Sequence, residues 1–377
     1  MEGKIGTVDF STILSATYDS NLFSLTKSEI NSLESSGKIE SSDDFSIRFS
    51  PVLHYSKKLS LLRFGASAGI DVTEFIYNKE RSYIIPVTSI VLDFDETLSK
   101  RKSFSNNAKI RFSATFDVGQ NIGSDLLEGD LISYTYFNAG FEVRYNHSPK
   151  FGIGTGTNYG IREYQSGSIN SDYDDFETLP ISTSAYYIYS PKLDFYGRHT
   201  LQRNKSSSGS ANLSNFKSNT YSLGANGIFS QKLSGQIDFG ITSLDYKSND
   251  INNDSSITST ISLNLVHNQK TTSSMYLNRS FSPTASGFVQ LATTLGYDVT
   301  HRLNDRLNGN VGASIAQSEI TMSNSSVLSV KQYSLNAGIS RRISNKFTGD
   351  LSYRFSHVNR LENFNKHTLT ATLNGNF

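Results

Sequence analysis

From His367 to Phe377 the chain reads His-Thr-Leu-Thr-Ala-Thr-Leu-Asn-Gly-Asn-Phe. Successive side chains of an extended chain point to opposite faces, so Leu369, Ala371, Leu373, Gly375 and Phe377 share one side, and Thr368, Thr370, Thr372, Asn374 and Asn376 the other. One face is apolar and the other polar without charge. The preceding segment repeats the pattern, with Phe347, Gly349, Leu351, Tyr353 and Phe355 against Thr348, Asp350, Ser352, Arg354 and Ser356. It recurs upstream in Tyr333/Leu335/Ala337/Ile339, Val289/Leu291/Leu295/Tyr297, Ile237/Phe239/Ile241, Phe137/Ala139/Phe141/Val143, Ile110/Phe112/Ala114/Phe116 and Val8/Phe10/Leu14/Ala16/Tyr18.

Segments of about ten residues with this period number about 18, the even count expected of a closed antiparallel barrel in a bacterial outer membrane. The connections fall into two classes. Short turns occur at Lys57-Lys58, Ser148-Pro149-Lys150, Ser190-Pro191-Lys192, Ser230-Gln231-Lys232, Asn268-Gln269-Lys270 and Ser344-Asn345-Lys346, with longer polar links between them, the longest from Asp19 to Ser42. Two tracts break the rule: Glu96 to Asn107 is long where a short turn is due, and Ile84 to Phe94 has no clear register. With no linker or compositional shift, the expectation is one all-β transmembrane barrel domain over residues 1–377.

Composition agrees. The 377 residues carry 35 Lys+Arg and 34 Asp+Glu, a net charge of +1, which removes the basic excess of a nucleic-acid binder. Charged residues are 18%, below the usual ~25%, and Ser, Thr and Asn fill the difference, which disfavours helices. Cysteine is absent, excluding disulfides, thiolate nucleophiles and thiolate-bound zinc. No apolar run is long enough for a helical span, whereas alternating strands leave mean hydropathy low, at −0.36. Met1-Glu2-Gly3-Lys4 lacks the apolar core of a secretory signal, so an outer-membrane destination implies a signal already removed.

Ala16-Thr17-Tyr18-Asp19-Ser20-Asn21-Leu22-Phe23, followed by Ser42-Asp43-Asp44-Phe45-Ser46-Ile47, resembles the "putative beta-barrel porin 2" family, whose members include the barrel encoded in exopolysaccharide operons. The similarity extends through Lys58-Leu59-Ser60-Leu61 to Tyr77-Asn78; the tryptophans common in that family are missing. The resemblance implies an outer-membrane pore exporting or passing polysaccharide, with periplasmic export partners. A general or solute-selective diffusion porin is the alternative.

Strand parity assigns an inner set of charges: Arg48, Arg63, Arg111, Arg144, Arg162, Arg198 and Arg354, with Asp9, Asp71, Asp117, Glu142, Asp194, Asp238, Asp298 and Asp350. Six of the arginines precede residue 200, so opposite walls should differ in charge and orient polar solutes; mutual ion pairing that merely stiffens the wall is the competing reading. Tyr134, Tyr136, Tyr186, Tyr196 and Tyr276 also fall inside, where aromatic faces suit sugar rings. Outward Tyr18, Tyr145, Tyr189 and Tyr353 suit interfacial girdles in contact with lipid and lipopolysaccharide. Terminal Phe377 resembles the aromatic read by the barrel assembly machinery.

Catalytic signals are weak. Gly65-Ala66-Ser67-Ala68-Gly69 matches the G-x-S-x-G elbow but sits within a strand with no helix to follow, so a barrel hydrolase is a distant third reading. The seven histidines are scattered singly, without a zinc-binding pair. Asp250-x-Asn252-x-Asp254 opens like a calcium loop but lacks the turn glycine and the closing glutamate, and Asp172, Asp174, Asp175 and Glu177 form an acidic link. Neither a cofactor nor a firm metal site is expected. Gly152, Gly154, Gly156 and Gly160 lack the spacing of a phosphate loop and instead leave room in the lumen or permit strand curvature.

Overall fold

Alternation of this kind can satisfy both faces at once only if the sheet closes, and it does. The computed structural model describes residues 6–95, 109–125, 129–165, 173–206, 215–247, 253–321, 327–360 and 362–377. Eighteen strands run in chain order. The first six are β1 (Thr7–Asp19), β2 (Asp44–Leu59), β3 (Leu62–Phe75), β4 (Tyr83–Asp95), β5 (Ile110–Asp125) and β6 (Asp130–Asn146). β7 (Phe151–Tyr164), β8 (Phe176–Ser190), β9 (Leu193–Ser206), β10 (Phe216–Ile228), β11 (Leu233–Tyr246) and β12 (Asp254–Val266) follow. The last six are β13 (Thr271–Pro283), β14 (Val289–Asn304), β15 (Leu307–Thr321), β16 (Val327–Arg342), β17 (Phe347–Asn359) and β18 (Asn363–Asn376).

Each strand pairs antiparallel with the next, and β18 returns to β1 in a register from Ser11↔Asn376 to Asp19↔Thr368. Strands of 13 to 17 residues outrun the apolar segments of about ten, because their ends continue past the membrane band into both rims. The tract from Ile84 to Phe94 is most of β4. Its register is hard to read because both faces are apolar: Ile84 and Ile90 point out, while Ile85, Val87 and Val91 pair on the inner side with Asp71, Gly69 and Gly65. The segment from Glu96 to Asn107 lies outside the described residues.

Apolar side chains cover the outside, with Leu223 73% and Ile84 68% exposed. Such a band suits hydrocarbon, because the strands of the closed wall hydrogen-bond one another rather than the surroundings. One seam is incomplete. β12 and β13 pair only from Val266↔Thr272 to Ser259↔Arg279, leaving 254–258 and 280–283 without mutual rungs. The outward-facing Arg279 fills the gap, donating to the Ile257 carbonyl at 3.1 Å, Thr293 Oγ1 at 2.8 Å and Ser256 Oγ at 3.3 Å.

The rim bearing the longer links is laced across its mouth. The link after β1 contains a helix, α1 (Lys27–Ser35), started by a capping box in which the Thr26 N–H donates to Glu29 Oε2 at 2.8 Å. Leu22, Phe23, Leu25 and Ile39 of this link bury themselves with Phe75 and Leu131, reaching from β1 over to β6. Glu29 pairs with Arg360, Ser28 Oγ donates to Glu362 Oε2 at 2.8 Å, and Lys366 Nζ lies 3.0 Å from Asp19 Oδ2. Farther round, the Tyr173 hydroxyl donates to Asp130 Oδ2 at 2.7 Å and the Asp174 N–H to the Ala285 carbonyl at 2.8 Å. Residues 174 and 285 are separated by six strands on the circumference, so they can meet only along a chord over the lumen.

Candidate functional site

The lumen wall has a bare strip that lets distant strands meet. Gly152, Gly154, Gly156 and Gly160 all point inward from β7, with Gly154 opposite Arg144 of β6 and Gly156 opposite Glu142. A methyl group on Gly154 would sit 3.1 Å from a ring carbon of Tyr186, so glycine is what admits that ring. Across the strip the Arg144 guanidinium stacks on Tyr186 of β8, 3.9 Å from the ring centroid, and pairs with Asp194 of β9, Nη1 to Oδ2 at 2.5 Å. Contact between strands three apart is possible only on the concave side, which identifies this face as the interior.

Around this pair lies a cavity of about 350 Å³ lined by Arg63, Asp93, Arg111, Glu142, Arg144, Tyr186, Asp194, Tyr196 and Arg198, among others. Arg198 lies over Tyr196 at 4.7 Å and donates to Ser184 Oγ at 3.2 Å. The Tyr186 and Tyr196 rings are 5.9 Å apart. Gln236 of β11 donates to the Tyr196 hydroxyl at 3.1 Å. Four arginines face three acids in this lining, an excess of 4 − 3 = +1. Arg111 and Arg144 sit directly opposite each other in register, an arrangement that costs energy unless anions are near.

A second cluster lies toward the long-loop rim. Arg162 sits over Tyr134 at 5.2 Å and Phe176 at 5.3 Å, and Tyr134 contacts Tyr164 and Tyr136 with centroids 5.2 and 6.4 Å apart. Tyr134 and Arg144 are ten residues apart on one face of β6, roughly 33 Å along the strand. Four of the inward tyrosines thus form two pairs on β6, β8 and β9. Tyr276, on β13, stands apart and covers Gly296 of β14.

The remaining inner charges are held in different ways. Arg48 pairs with Asp71, its Nε donating to Oδ2 at 2.7 Å. Among the described residues, Arg63, Arg162, Arg198 and Arg354 form no ion pair within 4.0 Å, so mutual pairing accounts for Arg48 and Arg144 but not for these. Asp117, Asp298 and Asp350 accept from the amides of Asn138 at 2.9 Å, Asn336 at 3.3 Å and Asn374 at 2.6 Å, while Asp238 accepts from Ser222 at 3.2 Å. Neutral donors hold these acids and leave their charge uncompensated. Asp9 lies opposite His54, and Arg354 opposite Asn336 and Thr368. Phe377 points outward, its ring 6.0 Å from Phe10 and 5.4 Å from Phe347.

Asp93 belongs to the cavity and escaped the parity assignment. It faces Arg63 across β3 and β4, and the two-faced apolar character of β4 hid it. Ser67 bonds Ser89 Oγ at 2.7 Å, while His54 Nε2, one strand away, is 2.8 Å from Ser11 Oγ. Ser67 and His54 therefore face each other in register but engage other partners. Asp250, Asn252 and Asp172 lie outside the described residues. Asp254 opens β12, its Oδ1 accepting from the Ser255 N–H at 2.7 Å. Among the described residues no three His, Asp or Glu side chains come together as a metal site.

An 18-stranded closed wall with an apolar exterior, a polar and charged interior and one rim of short turns defines a channel-type barrel of the bacterial outer membrane. The chain belongs to the putative beta-barrel porin 2 family, whose model matches residues 132–377. That match lies downstream of the Ala16–Phe23 stretch that carries the resemblance in the sequence. The fold is similar to that of OccK1 (OpdK) from Pseudomonas aeruginosa, with 9% identity, 98% of this chain and 99% of that chain covered, and a TM-score of 0.52. OccK2 (OpdF) from the same organism is likewise similar, at 7% identity, 98% of each chain and a TM-score of 0.52. No curated protein matches the sequence. In barrels of this class the short turns face the periplasm and the longer loops the exterior.

Proposed function

We propose that this barrel is a selective diffusion channel for small polar solutes that carry an anionic group. The observation that carries the reading is the pair of stacked arginines, Arg144 on Tyr186 and Arg198 on Tyr196, beside Arg63 and Arg111 in one cavity. Flat aromatic faces offer contact to a ring, and adjacent guanidiniums offer bidentate donors to a carboxylate or phosphate. Such a solute would pass from the Tyr134 cluster to the Arg144 cluster along the glycine strip.

Passage or export of polysaccharide is the second reading, favoured by the tyrosine pairs. The loops laced over the mouth weigh against a polymer and for a small solute. A hydrolase is disfavoured because Ser67 Oγ is engaged by Ser89 rather than by a base. Lipid and lipopolysaccharide would surround the wall, and the assembly machinery would read Phe377.

The test is conductance in a planar bilayer with a neutral oligosaccharide, an acidic monosaccharide such as glucuronate, or an acidic polysaccharide on one side. Block by the acidic monosaccharide at lower concentration than by the neutral sugar supports the proposal. Equal weak block by both would point to a general porin, and block by the polymer alone to a glycan conduit.

A further inference from the structure

Six of the turns on the periplasmic rim are built to one plan. Each reads Ser or Asn, then any residue, then Lys or Arg, ending at Lys150, Lys192, Lys232, Lys270, Arg306 and Lys346. In each, the Ser Oγ or Asn Oδ1 accepts the backbone N–H of the cationic residue at 2.8 to 3.3 Å, which fixes the turn. The carbonyl of the same residue then accepts an N–H from the far end of the next hairpin. Lys150 takes that of Ile188 at 2.7 Å, Lys192 that of Ile228 at 2.8 Å, Lys232 that of Val266 at 2.8 Å and Lys270 that of Arg302 at 2.7 Å. Arg306 takes that of Arg342 and Lys346 that of Asn376, both at 2.8 Å. A cation is therefore locked after every second strand from β6 to β16, all six are exposed, and the one acid in these turns is Asp305.

Two of the ammonium groups are seen to lean outward, not over the pore. Lys346 Nζ lies 5.0 Å from the centre of the Phe377 ring, and Lys150 Nζ 5.9 Å from that of Tyr187 and 3.3 Å from the Tyr189 carbonyl. Tyr187, Tyr189 and Phe377 all point to the lipid side, at the level where aromatic girdles meet headgroups. A ring of fixed cations just beyond an aromatic belt matches a layer of phosphates in charge, height and outward direction.

We propose that this rim is an annular binding site for anionic phospholipid headgroups of the periplasmic leaflet, one phosphate to each turn cation. Each cation should favour an anionic over a zwitterionic lipid by roughly fivefold, the usual electrostatic contribution of one basic residue near an anionic surface. Because the turns are held by Ser or Asn side chains and by backbone, replacing the cations by glutamine leaves the rim's shape intact.

The test reconstitutes the full chain in nanodiscs of phosphatidylcholine with one-fifth phosphatidylglycerol and measures co-retained lipid by native mass spectrometry. The wild type should keep phosphatidylglycerol over phosphatidylcholine, and a variant with all six positions changed to Gln should lose that preference. A control with Lys27, Lys38, Lys79, Lys217, Lys247 and Lys331 changed to Gln on the opposite rim should keep it. Should the sixfold variant fold poorly, Lys192→Gln, Lys232→Gln and Lys270→Gln together should show about half the loss. Equal retention by wild type and rim variants overturns the proposal, as does unchanged lipid preference with altered anion current, which would assign these cations to the pore.

Discussion

Arg144 and Asp194 stand three strands apart yet form one ion pair, and among the described residues Arg144 Nη2 and Asp194 Oδ1 have no protein partner. The pair thus spends one donor and one acceptor on itself and leaves one of each beside the cavity. Removing the cation leaves a buried carboxylate uncompensated. Arg144→Met is expected to destabilise the barrel by about 3 kcal/mol, the low end for a broken buried pair because the site borders the lumen. Arg144→Met with Asp194→Asn should recover most of it. Urea unfolding in detergent, followed by the mobility difference between folded and unfolded forms, measures both; additive losses would mean that the pair is not coupled.

Selectivity should follow the arginines that no acid neutralises. Changing Arg63, Arg162 and Arg198 together to Gln is expected to lower the anion-to-cation permeability ratio several-fold, read as a shift of reversal potential in a salt gradient. Arg48→Gln combined with Asp71→Asn, which removes a matched pair and leaves the net charge of the lumen unchanged, should shift it little. An unchanged potential in the triple variant would falsify the idea that these groups set the field of the pore.

The link bearing α1 is held at its outer side by Glu29 and Arg360. Arg360→Gln should loosen it and produce longer or larger open steps in single-channel records. Arg360→Lys, which keeps a cation beside Glu29 and leaves the capping box intact, should retain the wild-type pattern. If the glutamine variant conducts as the wild type does, the core of Phe23, Leu25 and Leu131 holds the link without help.

Phe377 touches Phe10 and Phe347 at the closing seam, so its loss has a packing cost as well as any loss of recognition. Phe377→Ser should reduce folded barrel in cell envelopes more than it reduces refolding yield in detergent. Equal reductions in both would reduce the residue to a packing element.

Strand number and facing were legible in the sequence because the barrel asks only for period two, and the run Leu369, Ala371, Leu373 offers nothing else. Where both faces are apolar, as in Ile85 and Val87 beside Ile84 and Ile90, period two vanishes and Asp93 was lost with it. The capping box Thr26 to Glu29 was readable in principle, but a single short helix within a long polar link gives little apolar periodicity to find. The meeting of Arg144 with Asp194 was not readable at all. It depends on wall curvature and on the emptiness of β7, which the glycines announce only as absence of side chains.

The last rung of the wall joins residues from the two extremes of the strand order: Phe10 N–H to the Phe377 carbonyl at 3.1 Å, and Phe377 N–H to the Phe10 carbonyl at 2.8 Å. Every other seam joins neighbours in sequence and can zip as soon as its hairpin exists, but this one closes the largest loop the chain can make. During synthesis β1 is the earliest strand to emerge and the latest to find both partners. Until β18 is in place, the free edge of β1 presents a row of unpaired N–H and C=O groups, a template on which another chain could pair.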